Sequence, residues 1–159
     1  MDEGHRVQGW EDLESVLDSF EERRAAELEA GRAAAQDEVE FRETCVDLLE
    51  RVVVPTLNAA GRSLGKRGHE CSIARRIANY DIPSADLTVR PYIPEEKWVR
   101  RSRLSMRCAC AEGFVVYGEV SPPHKDPIIL NTVHPLDDVT DEWIKQQILK
   151  FVRAVLNEY

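Results

Sequence analysis

Apolar and polar positions along this chain recur with two different periods. Over residues 10–36 the apolar side chains Trp10, Leu13, Leu17 and Phe20 return every three or four positions, so a helix gathers them on one face. Val16 lies beside them. Glu, Ala, Arg and Leu dominate the segment, and all favour helix. Past Phe20 the stripe fades into Ala, Glu, Arg and Gly31, without the sustained seam of a coiled coil. It resumes at Phe41, Cys45, Leu48, Leu49 and Val52. Pro55 then interrupts it, because proline has no amide donor and disfavours helical geometry in the residue before it. A kink or restart is expected there, with Leu57, Ala60 and Leu64 continuing the buried face. Gly65 and Gly68 suit a left-handed helix end. A straight helix over 10–54 would measure about 68 Å, longer than a compact domain of this size. The N-terminal part is therefore expected to project, fold back or pack on another chain.

The period then changes to two, the mark of half-buried strands. HECSIARRI (69–77) sets Cys71, Ile73 and Ile77 in one phase, and DLTVRPYI (86–93) sets Leu87 and Val89. RLSMRCAC (103–110) gives Leu104, Met106, Cys108 and Cys110, and FVVYGEV (114–120) gives Phe114, Val116 and Val120. The last two read as a hairpin. A three-residue turn of Ala111, Glu112 and Gly113 puts Cys110 opposite Phe114, Cys108 opposite Val116, Met106 opposite Gly118 and Leu104 opposite Val120. A two-residue turn would set Cys108 against Tyr117 and Met106 against Glu119, mixing the faces. IPEEKWVRR (93–101) reads as a loop or ragged edge, and SPPHKDP (121–127) as a loop followed by a short apolar piece, IILNTV. In the last helix Thr140 is the N-cap and Asp141 and Glu142 favour the positive helix end. Ile144, Ile148, Phe151, Val152, Val155 and Tyr159 form its stripe, with Trp143 at the edge.

Helices before and after a run of strands indicate an α+β fold. The expected architecture is a four-stranded antiparallel meander covered on one face by an N-terminal and a C-terminal helix, with an extended N-terminal helix. Residues 1–38 form the acidic helical extension and residues 39–159 a single α+β domain. The other sheet face is left for solvent, a ligand or a partner.

Composition narrows the setting. A chain of 159 residues buries enough surface to fold as one domain without a disulfide or metal staple. No apolar run approaches the ~20 residues of a membrane span, and the start, MDEGHRVQGWEDLE, is unlike a secretory signal. The four cysteines are irregularly placed and do not suggest a disulfide framework. A reducing cytoplasm is the expected compartment. The net charge of −8 divides into −11 over residues 1–50, +7 over 51–110 and −4 over 111–159. The basic middle could attract an anionic partner, or it could compensate the acidic parts within one fold or across a dimer.

Few residues carry visible chemistry. His69, Cys71, Cys108 and Cys110 are a possible zinc set by type. Their i, i+2 spacing lies along straight strands rather than in a turn, and the cysteines fall in phase with Ile73, Leu104 and Met106. They are expected as small core hydrophobes, as is Cys45, so neither metal nor cofactor is expected. Neighbours two apart on a strand also exceed disulfide reach, which disfavours a Cys108–Cys110 bond. His69, His124 and His134 are the histidines beyond the N-terminal tail, and nothing brings one to a thiol outside the core. The His124, Lys125 and Asp126 side chains lie in a proline-built turn. Asp137, Asp138, Asp141 and Glu142 read as helix-start charge. A glycine-rich phosphate loop, a serine elbow and an HExxH motif are missing from the sequence.

Two contact surfaces stand out instead. Arg76, Arg90, Arg103 and Arg107 fall on the sheet face opposite the cysteines, with Arg101, Tyr92 and Trp98 nearby. Arginines with aromatics on a sheet can bind an anion or single-stranded nucleic acid. They can equally pair with Glu70, Asp86 and Glu119, or with the acidic helix. The stripe Trp10, Leu13, Val16, Leu17 and Phe20 is the second surface, suited to a groove on another protein, to its own domain or to a dimer mate. The leading expectation is a non-enzymatic interaction protein, an adaptor or small chaperone-like subunit, acting as a homodimer. The alternatives are an enzyme or receptor for a small anionic ligand at the arginine face, and binding of single-stranded nucleic acid.

Overall fold

The computed structural model describes the backbone of residues 3–109 and 112–159, and the side chains of residues 10–109 and 112–159. The chain divides into two units, Met1–Glu40 and Phe41–Tyr159. Helix α1 spans Glu3–Leu48. In the first unit every side chain from Trp10 to Glu40 is exposed. Helix here rests on intrinsic propensity and on side-chain pairs one turn apart, Arg24 with Glu27 at 3.5 Å and Gln36 with Glu40 at 3.3 Å.

In the second unit the helical stretch becomes amphipathic, and Cys45, Leu49, Val53 and Leu57 are fully buried. Its interruption is a π-helical turn, Leu49–Val53, that leads into α2, Val54–Lys66. Pro55 is the physical cause. Its ring would clash with the Arg51 carbonyl in a regular α-helix, and it offers that carbonyl no donor. The wider turn, closed by the Val54 amide on the Leu49 carbonyl, admits the ring without ending the helix. The Thr56 hydroxyl donates to the Val52 carbonyl at 2.6 Å. Helix α2 ends on Gly68, whose φ of +90° only glycine adopts cheaply. The His69 amide reaches the Leu64 carbonyl at 3.1 Å and the Gly68 amide the Gly65 carbonyl at 3.0 Å.

Five strands follow: β1 (Glu70–Arg76), β2 (Ser84–Arg90), β3 (Ser102–Ala109), β4 (Gly113–Val120) and β5 (Ile128–His134). They form one antiparallel sheet in the order β1-β2-β3-β4-β5. The α+β class is as expected, and the strand count is corrected from four to five. The IILNTV piece is itself a strand. It has apolar residues in both phases, Ile128 and Leu130 in one and Ile129 and Val133 in the other, so alternation does not reveal it. Pro127 and Pro135 bracket it.

The hairpin register is also corrected. Cys108 faces Phe114, Met106 faces Val116 and Leu104 faces Gly118, two residues away from the expected pairing. A shift of two leaves every side chain on its expected face, so the hydrophobic pattern cannot distinguish the registers. Gly113 helps to select the observed one. Its φ is +108°, and a Cβ there would lie 2.7 Å from the His134 carbonyl oxygen. The expected partner of Phe114, Cys110, and the turn residue Ala111 lie outside the described residues.

Helix α3, Asp141–Leu156, starts at Thr140, whose hydroxyl accepts the Trp143 amide at 3.1 Å. Its residues Ile144, Ile148, Phe151 and Val155 are buried with Leu87, Val89, Leu104, Met106, Phe114 and Val116 of the sheet. Helix α2 covers the β1–β2 side of the same face and α3 the β3–β4 side. Trp143 stacks on His134 with ring centroids 4.6 Å apart and meets Phe114 edge-on at 6.0 Å.

Candidate functional site

The open face of the sheet gathers the arginines. Register places Arg76, Ser84 and Arg107 in one row, Ala74, Asp86, Ser105 and Tyr117 in the next, and Ser72, Thr88, Arg103 and Glu119 in a third. Asp86 is at the centre and is 3% exposed. Its Oδ2 accepts a hydrogen bond from the Arg103 guanidinium at 2.7 Å and lies 3.9 Å from that of Arg76. Both arginine side chains remain about half exposed, at 52% and 53%. Burial of a carboxylate is tolerable only with such partners, because an unpaired buried charge loses its hydration without return. Oδ1 is also buried and accepts no hydrogen bond from the described residues.

The remaining arginines are split. Arg90 lies 3.8 Å from Glu70, and Arg101 donates to the same carboxylate at 3.1 Å. These pairs are exposed and each is worth about 0–1 kcal/mol. Arg107 makes no ion pair among the described residues. Thus the structure brings Arg76 and Arg103 to Asp86, leaves Arg107 in the adjacent row opposite Ser84, and sets Arg90 at the Glu70 end of the face. Beside that end, Gly68, Glu70, Arg90, Tyr92, Ile93 and Glu96 line a cleft of about 340 Å³. Tyr92 and Trp98 are both largely exposed.

The cysteines are arranged differently from the expectation. Cys45 and Cys108 are buried in the core, as expected, but they are joined to each other as a disulfide with Cα atoms 6.2 Å apart. That separation lies within the usual bridging range. The pairing links α1 to β3 across 63 residues of sequence, and spacing along the chain carries no sign of it. Of the zinc foursome, Cys110 lies outside the described residues, and His69, Cys71 and Cys108 do not converge. Cys108 is taken by Cys45, Cys71 lies two strands away on β1, and the His69 Nδ1 accepts the Tyr92 amide at 3.0 Å. Among the described residues no three His, Cys, Asp or Glu side chains converge on a metal position. The Cys71 thiol is pushed up from its ordinary range, first by burial and then by the neighbouring Glu70 carboxylate. His124, with φ +60°, is exposed in its loop.

The second surface is on α1. Trp10, Leu13, Val16, Leu17 and Phe20 are 65%, 42%, 65%, 44% and 49% exposed. The Arg23 guanidinium lies 5.8 Å from the centre of the Phe20 ring. Val16, which the sequence also set on this surface, is as exposed as Trp10. No helix among the described residues is long and apolar enough to cross a membrane. Compared with known proteins, the chain matches no family model, no curated protein and no solved structure.

Proposed function

We propose that this protein is a non-enzymatic protein-interaction module, an adaptor or small chaperone-like subunit, whose N-terminal helix docks in a groove on a partner. One observation carries the reading: Trp10, Leu13, Val16, Leu17 and Phe20 share a helix face and all remain exposed. A solvated helix has no need of two aromatics and three aliphatics in so short a span, whereas a helix that binds a groove uses such anchors at three- and four-residue spacing. Residues 1–40 hold 13 Asp and Glu against 4 Lys and Arg, a net −9. Two copies of this helix side by side repel each other, so the groove that fits is on a basic protein. The cytoplasm is kept as the proposed compartment. A disulfide persists there only against thiol reductants, so the oxidation state of Cys45 and Cys108 in the source cells bears on location as well.

The test compares proteins retained from source-cell lysate by the wild type and by Leu13→Glu/Phe20→Glu, with helix content checked by circular dichroism. A basic protein retained by the first and lost by the second supports the reading. Identical sets of retained proteins contradict it.

A second reading draws support from Arg107. A small anion finds there a guanidinium that makes no ion pair among the described residues. A thermal-shift screen of nucleotides and organic acids separates it from the first, because a ligand of the native state raises the melting temperature. Nucleic-acid binding at the same face predicts salt-sensitive retention on single-stranded DNA, lost when Arg103 and Arg107 become Glu.

A further inference from the structure

The two edges of the sheet are built differently. Strand β1 carries Glu70, Arg75 and Arg76, and charge on an edge strand discourages pairing with another sheet. Strand β5 reads IILNTVH, with no acidic residue, no lysine or arginine and no internal proline. One side of β5 is hydrogen-bonded to β4, and the other meets no strand among the described residues. Ile128, Ile129 and Val133 are 40%, 50% and 49% exposed. An open edge without charge or proline of this kind is a template for another strand.

We propose that β5 pairs antiparallel with β5 of a second copy, joining two sheets into one continuous sheet about a two-fold axis at Asn131. The strand's own sequence points to a second copy as the occupant. A two-fold perpendicular to the sheet sets one residue against itself, with both helical layers on the same face. Asn131 is the middle of Ile128–His134, so this axis uses the strand's whole length. Ile129 then lies opposite Val133 of the second copy on the open face, twice by symmetry, and Leu130 lies opposite Thr132 on the other face. The two Asn131 amides, which both donate and accept, meet at the axis. No like charges face each other along the strand, in contrast to the self-repelling acidic helix.

The inference does not depend on the docking helix, and the experiment keeps the two apart. The full chain is measured by size-exclusion chromatography with light scattering. The wild type is expected at twice the chain mass of 18.1 kDa. Ile129→Lys/Val133→Lys is expected to halve that mass with unchanged circular dichroism, and Leu13→Glu/Phe20→Glu to leave it doubled. Hydrogen exchange on the wild type is the second measurement. The β5 amides that face away from β4 are expected to gain protection as protein concentration rises. A monomeric wild type, a dimer that survives both lysines, or a dimer lost with Leu13 and Phe20 overturns the proposal.

Discussion

Reducing the Cys45–Cys108 bond should lower the melting temperature of the second unit by roughly 15 °C. The bridge spans a sequence separation of 63 residues. In the chain-entropy picture, a closed loop of that length removes about 14 cal/mol/K from the unfolded ensemble, or about 4 kcal/mol at 25 °C. Phe41–Tyr159 is about 120 residues, and unfolding entropy near about 2.1 cal/mol/K per residue gives a total of about 0.25 kcal/mol/K. The ratio of the two is the expected shift. Cys45 and Cys108 are 0% and 4% exposed, so a reductant reaches them only when the core opens. The protein should therefore be reduced under denaturing conditions, refolded with reductant present, and scanned beside the oxidised sample. Cys45→Ala/Cys108→Ala should show no reductant dependence, and Cys71→Ser should keep the full shift. Alkylation before reduction should leave the Cys45 and Cys108 peptides unlabelled. Equal melting temperatures with and without reductant, or label on both peptides beforehand, would refute the reasoning.

Other residues offer independent checks. Arg103→Ala should cost about 2 kcal/mol in denaturant unfolding, below the 3–5 kcal/mol typical of a fully buried pair, because Arg103 is half exposed and Arg76 stays near the Asp86 carboxylate. Thr140→Ala should cost about 1 kcal/mol in the same assay by removing the acceptor for the Trp143 amide. Gly113→Ala should destabilise more than either, and should loosen β4–β5 in hydrogen exchange, because its Cβ meets the His134 carbonyl at 2.7 Å. Cys71 should alkylate more slowly than an open thiol near pH 8, and Glu70→Gln should speed it. The folded state holds the Cys71 proton to higher pH than the unfolded chain does, so stability declines as pH rises above the ordinary thiol range.

The elements were legible where one physical signal was strong. Period-two runs located β1 to β4, the stripe of Ile144, Ile148, Phe151 and Val155 located α3, and Thr140 marked its start. The arginine face was legible too, because side-chain direction alternates strictly along a strand. Glu70 and Asp86 were legible as partners for these arginines, but which arginine each carboxylate takes was not. Asp86 draws Arg103 to 2.7 Å and Glu70 draws Arg101 to 3.1 Å, and those choices depend on positions across strands rather than along one.

The corrections have a common origin. Hydrophobic period tells which face a residue takes, but not its offset along the element. A hairpin slipped by two residues keeps every face, so the Cys108–Phe114 register was invisible to the pattern. The same ignorance of offset hid the disulfide. Cys45 and Cys108 were both assigned to the core, but only the relative slide of α1 and β3 brings their Cα atoms to 6.2 Å. Strand β5 was hidden for a related reason, since an edge with apolar residues in both phases has no face to report. Offset is set by contacts that period cannot express: the close approach of Gly113 to His134, the ring of Pro55 in its π-turn, and the join of two sulfurs. The double apolar phase that concealed β5 is also what makes it fit to pair with a copy of itself. A strand meant to stay a bare edge would carry charge on its open face, as β1 does at Arg76.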